Sequence, residues 1–565
     1  MLTGLCRALA RLSPADPSPS EELRRSLGFL DADVSAETVV DAGYGAALVV
    51  AAVGVVAAAF VPESLFPAVA VCTLAFALGT AHAVHRGPVV AAAARRTAAL
   101  GDAPGIVGRA VLRMRITPAA ETATAFAART GRGPLARSLR DHVRAAEGTP
   151  RTGLAGFADE WDEWFPALAR STHLLLAAAA APAGERSRTL DRALTAVLDG
   201  TRDRMAAFAS DVRAPATALY AFGVLLPLSL VAAVPAASVA GLPVTLPLFA
   251  FVYDCLLPVG LLGVSGWLLL RRPVAFPPPV VSRSHPDVPT RRWPPLAAGG
   301  GAGVLTAVAS VALLPGWTAP VAGVGVGVGV TLVAWYQPIV AVREHVRAVE
   351  AGLVDALYLV GRRVAEGAAA ESAVARASEE VGGEMGDVLA GATRRQRQLG
   401  VGVRESFLGE YGALADVPSP RVRSAAALLA LAASEGKPAG SAVVATADHV
   451  EELRTVEREA RHDLSRVTGT LGHTAALFGP LVAGVTVALA GGIGGTEFGE
   501  PALPPAGLGV AVGAYVLLLA AILSALGAGL EAGLDRPLVG YRVGLALCAA
   551  TPTFLGAFAV ARLLV

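Results

Sequence analysis

The chain has 565 residues, of which 54% are hydrophobic and 16% charged, with a formal net charge of +1 and a mean hydropathy of +0.56. Soluble domains carry about 25% charge, so this balance excludes an ordinary soluble protein and reads as a polytopic membrane protein. The near-neutral charge gives no reason to expect nucleic acid as a partner, and the use of Arg almost throughout, with Lys437 the only Lys, reads as coding bias.

The N-terminal 42 residues are charged and Pro-rich, contain "EELRR", and do not resemble a cleavable leader. The first apolar run is expected to remain as a signal-anchor. Runs of roughly 20 apolar residues then fall at about 43–61, 65–84, 215–237, 245–270, 296–315, 318–338, 470–492, 506–529 and 543–563. These predict about nine transmembrane helices.

Arg near the ends of spans is retained in the cytoplasm. The connections at 62–64, 238–244, 316–317 and 493–505 hold no Lys or Arg, whereas 85–214, 271–295 and 339–467 are rich in Arg. The expected division is a cytoplasmic N-terminal segment (1–42), a span pair (43–84), a first cytoplasmic helical bundle (85–214), a span pair (215–270), a basic Pro-rich cytoplasmic loop (271–295), a span pair (296–338), a second cytoplasmic bundle (339–467) and C-terminal spans (468–565). The C-terminus is then external, with Arg562 a mild exception.

Both bundles lack strand patterns, so the fold class expected is all-α. The first ends on a helix with Leu190, Leu194, Val197, Leu198, Met205, Phe208 and Val212 at helical spacing. The second repeats this with Val450, Leu453, Val456, Ala460, Leu464 and Val467, and with Glu457 placed to pair with Arg461. Each helix runs straight into an apolar span: "DVRAPATALYAFGVLLPL" (211–228) and "DLSRVTGTLGHTAALFGPL" (463–481) both contain Phe-Gly and Pro-Leu. Upstream, 119–139 aligns without gaps on 369–389, pairing Glu121 with Glu371, Gly133 with Gly383 and Leu139 with Leu389. The chain therefore reads as two duplicated halves with an extra span at the end.

On these features the chain resembles the type II secretion F-domain family, the membrane platform proteins of type IV pili, archaella and type II secretion, and most nearly its archaeal branch. The segments "AGERSRTLDRALTAVLDGTRDRMAAFASDVRAPATALYAFGVLLPL" and, more weakly, "EGKPAGSAVVATADHVEELRTVEREARHDLSRVTGTLGHTAALFGPL" carry the resemblance. Gly184 and Gly436 match the family's turn glycine, and Leu190 and Leu194 its apolar positions; Pro438 and Gly440 depart from it where the second long helix should start. The resemblance implies a platform without catalysis that couples a hexameric secretion ATPase, docked on the bundles, to pilin-like subunits moving through the lipid bilayer, with a homodimer left open. A secondary transporter is the alternative, since it too shows repeats. A membrane enzyme ranks third, for want of a nucleophile, metal cluster or paired carboxylates.

Candidate sites follow from exceptions to the apolar pattern. Asp254 is the one carboxylate deep in an expected span, a placement that pairs helices or meets a partner unless the span starts later. His473 shares that ambiguity. Arg394, Arg395 and Arg397 in "TRRQRQ" form a basic run, and "DEWDE" (159–163) an acidic one; either is a solvated face or an electrostatic dock for a partner. Glu121 and Glu371 anchor helix ends or meet that partner. No cofactor and no metal are expected. "SEGKP" fails as a nucleotide loop because Pro438 replaces the Ser or Thr and Leu431 the first glycine. "GVGVGVGV" (323–330) reads as close helix packing, and His82 with His85 as interfacial packing rather than a metal pair. The Cys residues at 6, 72, 255 and 548 are too dispersed for disulfides or zinc.

Overall fold

A computed structural model describes residues 2–13, 18–59, 66–131, 133–149, 152–239, 245–273, 279, 281–282, 285–291, 293–435, 437–493, 503–533 and 535–564. These residues contain no strand. They divide into two compact units, 1–100 and 101–565.

The first unit holds α1 (Leu2–Ala10), α2 (Glu21–Leu30), α3 (Ala36–Ala58) and α4 (Phe66–Leu100). Ser20 caps α2 by accepting from the Leu23 N–H at 3.3 Å, and Asp31 closes it in the left-handed region at φ 54°. Its apolar stripe, Leu23 and Leu27, buries against Ala36, Val39 and Val40 of α3.

In the second unit the first bundle comprises α5 (Ala103–Ile116), α6 (Ala120–Thr130), α7 (Gly133–Ala146), α8 (Gly153–Asp162), α9 (Pro166–Ala180) and α10 (Ala183–Tyr220). All seven apolar positions expected on α10 are buried. Helix α10 continues through a short π-helical segment into α11 (Leu226–Val239), followed by α12 (Leu246–Ala250), a second π segment and α13 (Leu257–Arg271). Then come α14 (Trp293–Leu313) and α15 (Thr318–Ala351). The second bundle is α16 (Leu353–Ala365), α17 (Ala370–Glu380), α18 (Gly383–Leu399), α19 (Val403–Leu408), α20 (Pro420–Glu435) and α21 (Lys437–His473). Helix α21 passes through a third π segment into α22 (Gly479–Ile493), and α23 (Pro505–Ala532) and α24 (Arg536–Leu564) end the chain.

Eight helical stretches among the described residues are long and apolar enough to cross a membrane. The protein is thus an all-α polytopic membrane protein. Eight of the nine spans read from the sequence match these stretches; the remaining one, 65–84, forms the start of α4, where several side chains lie outside the described set. Pro438 does not delay α21, which starts at Lys437; proline is tolerated in the first helical turn because that turn's N–H groups have no partner anyway. Gly436 lies outside the described residues.

The two segments that align in sequence, 119–139 and 369–389, also close their first helices alike. Helices α6 and α17 both span eleven residues, and each is closed by the same bond, Gly131 N–H to Ala127 O at 2.9 Å and Val381 N–H to Ala377 O at 2.8 Å. Gly133 and Gly383 start the following helices with φ of +89° and +68°, a conformation that costs a side-chain-bearing residue free energy. Leu139 and Leu389 are both buried.

The run at 323–330 packs on two sides at once. A Cβ on Gly303 of α14 would lie 2.7 Å from the Gly323 carbonyl oxygen, and one on Gly329 would lie 3.0 Å from that of Gly544 in α24. Alternate glycines thus let α14 and α24 approach the backbone of α15 closely, where dispersion replaces the hydrophobic drive that lipid cannot supply.

Candidate functional site

The two long helices, α10 and α21, lie side by side, and the Arg202 Nε of one donates to the Glu459 carboxylate of the other at 2.8 Å. Around this pair Met205, Ala206, Val456 and Ala460 line a cleft of about 550 Å³, with Arg458, His462 and Asp463 at its edges.

Below this contact both helices change their winding. The π segments are Ala221–Leu225 in the first copy and Thr474–Phe478 in the second, with a third at Phe251–Leu256. In each the N–H that follows reaches back five residues, Leu226 to Ala221, Gly479 to Thr474 and Leu257 to Val252. A proline stands two residues beyond every segment: Pro227, Pro480 and Pro258. The cause is local. Proline has no N–H and its ring collides with the carbonyl four residues back, and one wider turn removes the collision at the expense of a carbonyl left without its helical donor. For Pro227 that carbonyl is Gly223. The Tyr515 hydroxyl of α23 donates to it, and the Tyr253 hydroxyl donates to the Pro227 oxygen at 2.7 Å. The two rings meet edge to face with centroids 5.5 Å apart, so neither hydroxyl is left unpaired in a dry core.

Asp254 lies in the π segment Phe251–Leu256, half-buried, and its Oδ1 is enclosed without a hydrogen-bond partner among the described residues. It falls inside the stretch Leu246–Arg271 rather than outside it. His473 is exposed, at the end of α21 next to the π segment Thr474–Phe478.

The charged candidates separate on the second bundle. Glu371 and Arg397 line one cleft of about 660 Å³ between α17 and α18, together with Arg376, Glu379, Thr393 and Gln396. Thr393 is 7% exposed, and its Oγ1 has no partner among the described residues. Arg395 is structural: its Nε donates to the Tyr411 oxygen at 2.6 Å and its Nη1 to Gly391 O at 2.9 Å. Arg394 is exposed on α18, and Glu121 is exposed on the first turn of α6. The acidic run is not uniformly solvated, since Trp161 is buried with its indole N–H on Ser138 at 2.9 Å and Glu160 accepts from the same serine at 2.8 Å. In the first unit His85 Nε2 lies 3.0 Å from the Val40 oxygen and its ring stacks edge-on to Tyr44. No metal-holding group of His, Cys, Asp and Glu occurs among the described residues.

Three features carry weight that no sequence pattern announced. His449 of α21 is half-buried and packs against Gly108 of α5, where a Cβ would come 2.4 Å from its Nε2. Burial, then the charges of Arg115 and Arg109, push its pKa down to about 4, so the ring is neutral. Nearby, burial raises the Asp102 carboxyl against the opposing pull of Arg109, whose own pKa burial lowers. Arg343 of α15 makes a bidentate pair with Asp535, one arm at 2.9 Å, and Asp535 also caps α24 through the Leu538 N–H at 3.1 Å.

Compared with protein-family models, with curated proteins and with solved structures, the chain matches none.

Proposed function

We propose that the protein is a membrane platform of the kind found in type IV pilus-like assembly or type II secretion, coupling a cytoplasmic ATPase to the movement of pilin-like subunits. The observation that carries this reading is the continuity of α10 and α21 from duplicated bundles into apolar spans, with an ion pair joining the two. A rigid shaft of this kind transmits a push or a rotation, which a solute carrier has no need of. Between the bundles the chain runs through four apolar helical stretches; an even number returns it to the same side. In this reading both bundles face one compartment, and the Arg-rich connections favour the cytoplasm.

In this reading the cleft holding Glu371 and Arg397, with Arg394 beside it, is the docking face for the motor. A solute transporter is the competing reading, favoured by the unpartnered Asp254 oxygen in a widened turn within the membrane. Crosslinking in native membranes from a photoreactive residue at Ala375 separates the two. Capture of a secretion ATPase supports the platform; specific solute flux in liposomes holding this chain alone overturns it.

A further inference from the structure

Beyond the shaft, the bundle-side boundary of the spans gathers Arg residues, most of them paired with carboxylates. Asp535 is taken by Arg343, Glu531 by Arg542 at 3.0 Å and by the Thr468 hydroxyl at 2.8 Å, and Glu457 by Arg421 and Arg461. Arg272 and Arg347 remain with no carboxylate within ion-pair distance among the described residues.

Arg272 is 4% exposed. Its Nε and Nη2 donate to the oxygens of Leu530 and Glu531 at 2.6 and 2.9 Å, closing the end of α23. Its Nη1 has no partner among the described residues. That nitrogen faces Gly533, where a Cβ would stand 3.4 Å away and where φ is +80°; a larger residue would crowd the space beside it. Arg461 lies within electrostatic reach of both Arg272 and Arg347, and Arg343 of Arg347, where Glu344 and Glu457 offset part of the charge. At Arg272 no carboxylate does so, a deficit that a bound anion would fill.

The depth of the cluster identifies the anion's source. Trp267, 43% exposed, carries the Arg271 guanidinium 4.1 Å above its ring, the aromatic and basic pairing that sits at headgroup level. Arg272 follows directly. We propose that this cluster binds the phosphate of an anionic phospholipid in the bundle-side leaflet, with Arg272 as the buried anchor and the exposed Arg347 and Arg461 closing over the headgroup. The site is independent of the platform reading and stands or falls by its own measurement.

The test is native mass spectrometry of the detergent-purified full chain, titrated with phosphatidylglycerol or with phosphatidylcholine of the same acyl chains. Retention of the anionic lipid should exceed that of the zwitterionic one by about tenfold, and Arg347→Gln with Arg461→Gln should reduce it by about tenfold. Arg347→Lys should restore part of the loss, and Arg394→Gln on the second bundle should change nothing. Equal retention of the two lipids, or unaltered binding by the double variant, overturns the proposal. So does millimolar inorganic phosphate raising the melting temperature as much as the lipid, because the anion would then come from solution.

Discussion

At the scale of single residues, two packed groups set measurable thresholds. Tyr515 supplies the donor that Pro227 removed, so Tyr515→Phe leaves the Gly223 carbonyl bare in a dry core. The expected cost is about 1–2 kcal/mol, read as a lower melting temperature in detergent, with Tyr253→Phe giving a smaller loss because Pro227 O sits in ordinary helix. His449 gives a pH signature. The unfolded chain takes up a proton near pH 6.5, whereas the folded ring resists until about pH 4. Stability should therefore be full above pH 6.5, fall as the pH is lowered, and level off below about 4, by at most about 3 kcal/mol. His449→Leu should flatten that slope in acid-unfolding curves; an unchanged slope would show that the folded ring does not resist protonation, since the raised Asp102 carboxyl acts with the opposite sign.

At the scale of elements, the glycine-lined contacts of α15 make sharp demands. Gly303→Ala drives a Cβ to within 2.7 Å of a backbone oxygen, while Gly301→Ala, on the same helix, meets open space. The first should lower thermal stability by about 1–3 kcal/mol and the second should leave it unchanged or raise it slightly. The helices themselves were legible in the sequence, because long apolar runs and the α10 and α21 stripes are periodic signals. The π segments were legible only in part. Their cause, a proline inside a span, stands in the open in both copies, but the Tyr515 hydroxyl that serves the stranded Gly223 carbonyl does not. That partner lies 292 residues away. The same distance problem hid His449 and the Arg343–Asp535 pair, while the run of Arg394, Arg395 and Arg397 promised one patch and gave three different environments. Sequence adjacency on a helix turns each successive side chain by about 100°, so neighbours in the run need not share a face.

At the scale of the whole molecule, the second unit is held together across the loop at 271–295 by contacts of α10 with α21, α11 with α22 and α13 with α23. Cutting the chain between Asp287 and Val288 should leave two fragments that co-purify when expressed together, in the same detergent that keeps the intact chain monodisperse. Fragments that separate would show that the covalent tether, and not the buried seam, holds the repeats. Arg202→Glu combined with Glu459→Arg should restore most of whatever stability either single change removes, an interaction of about 0.5–1 kcal/mol for a half-exposed pair.

The two tyrosines that mend the first winding change come from both repeats, Tyr253 from the first and Tyr515 from the second. Each stands on the apolar stretch that follows its own half's long helix, Leu246–Arg271 for Tyr253 and Pro505–Ala532 for Tyr515. Separating the halves would strip the Gly223 oxygen of its donor, so the second half is a working part of the first half's helix.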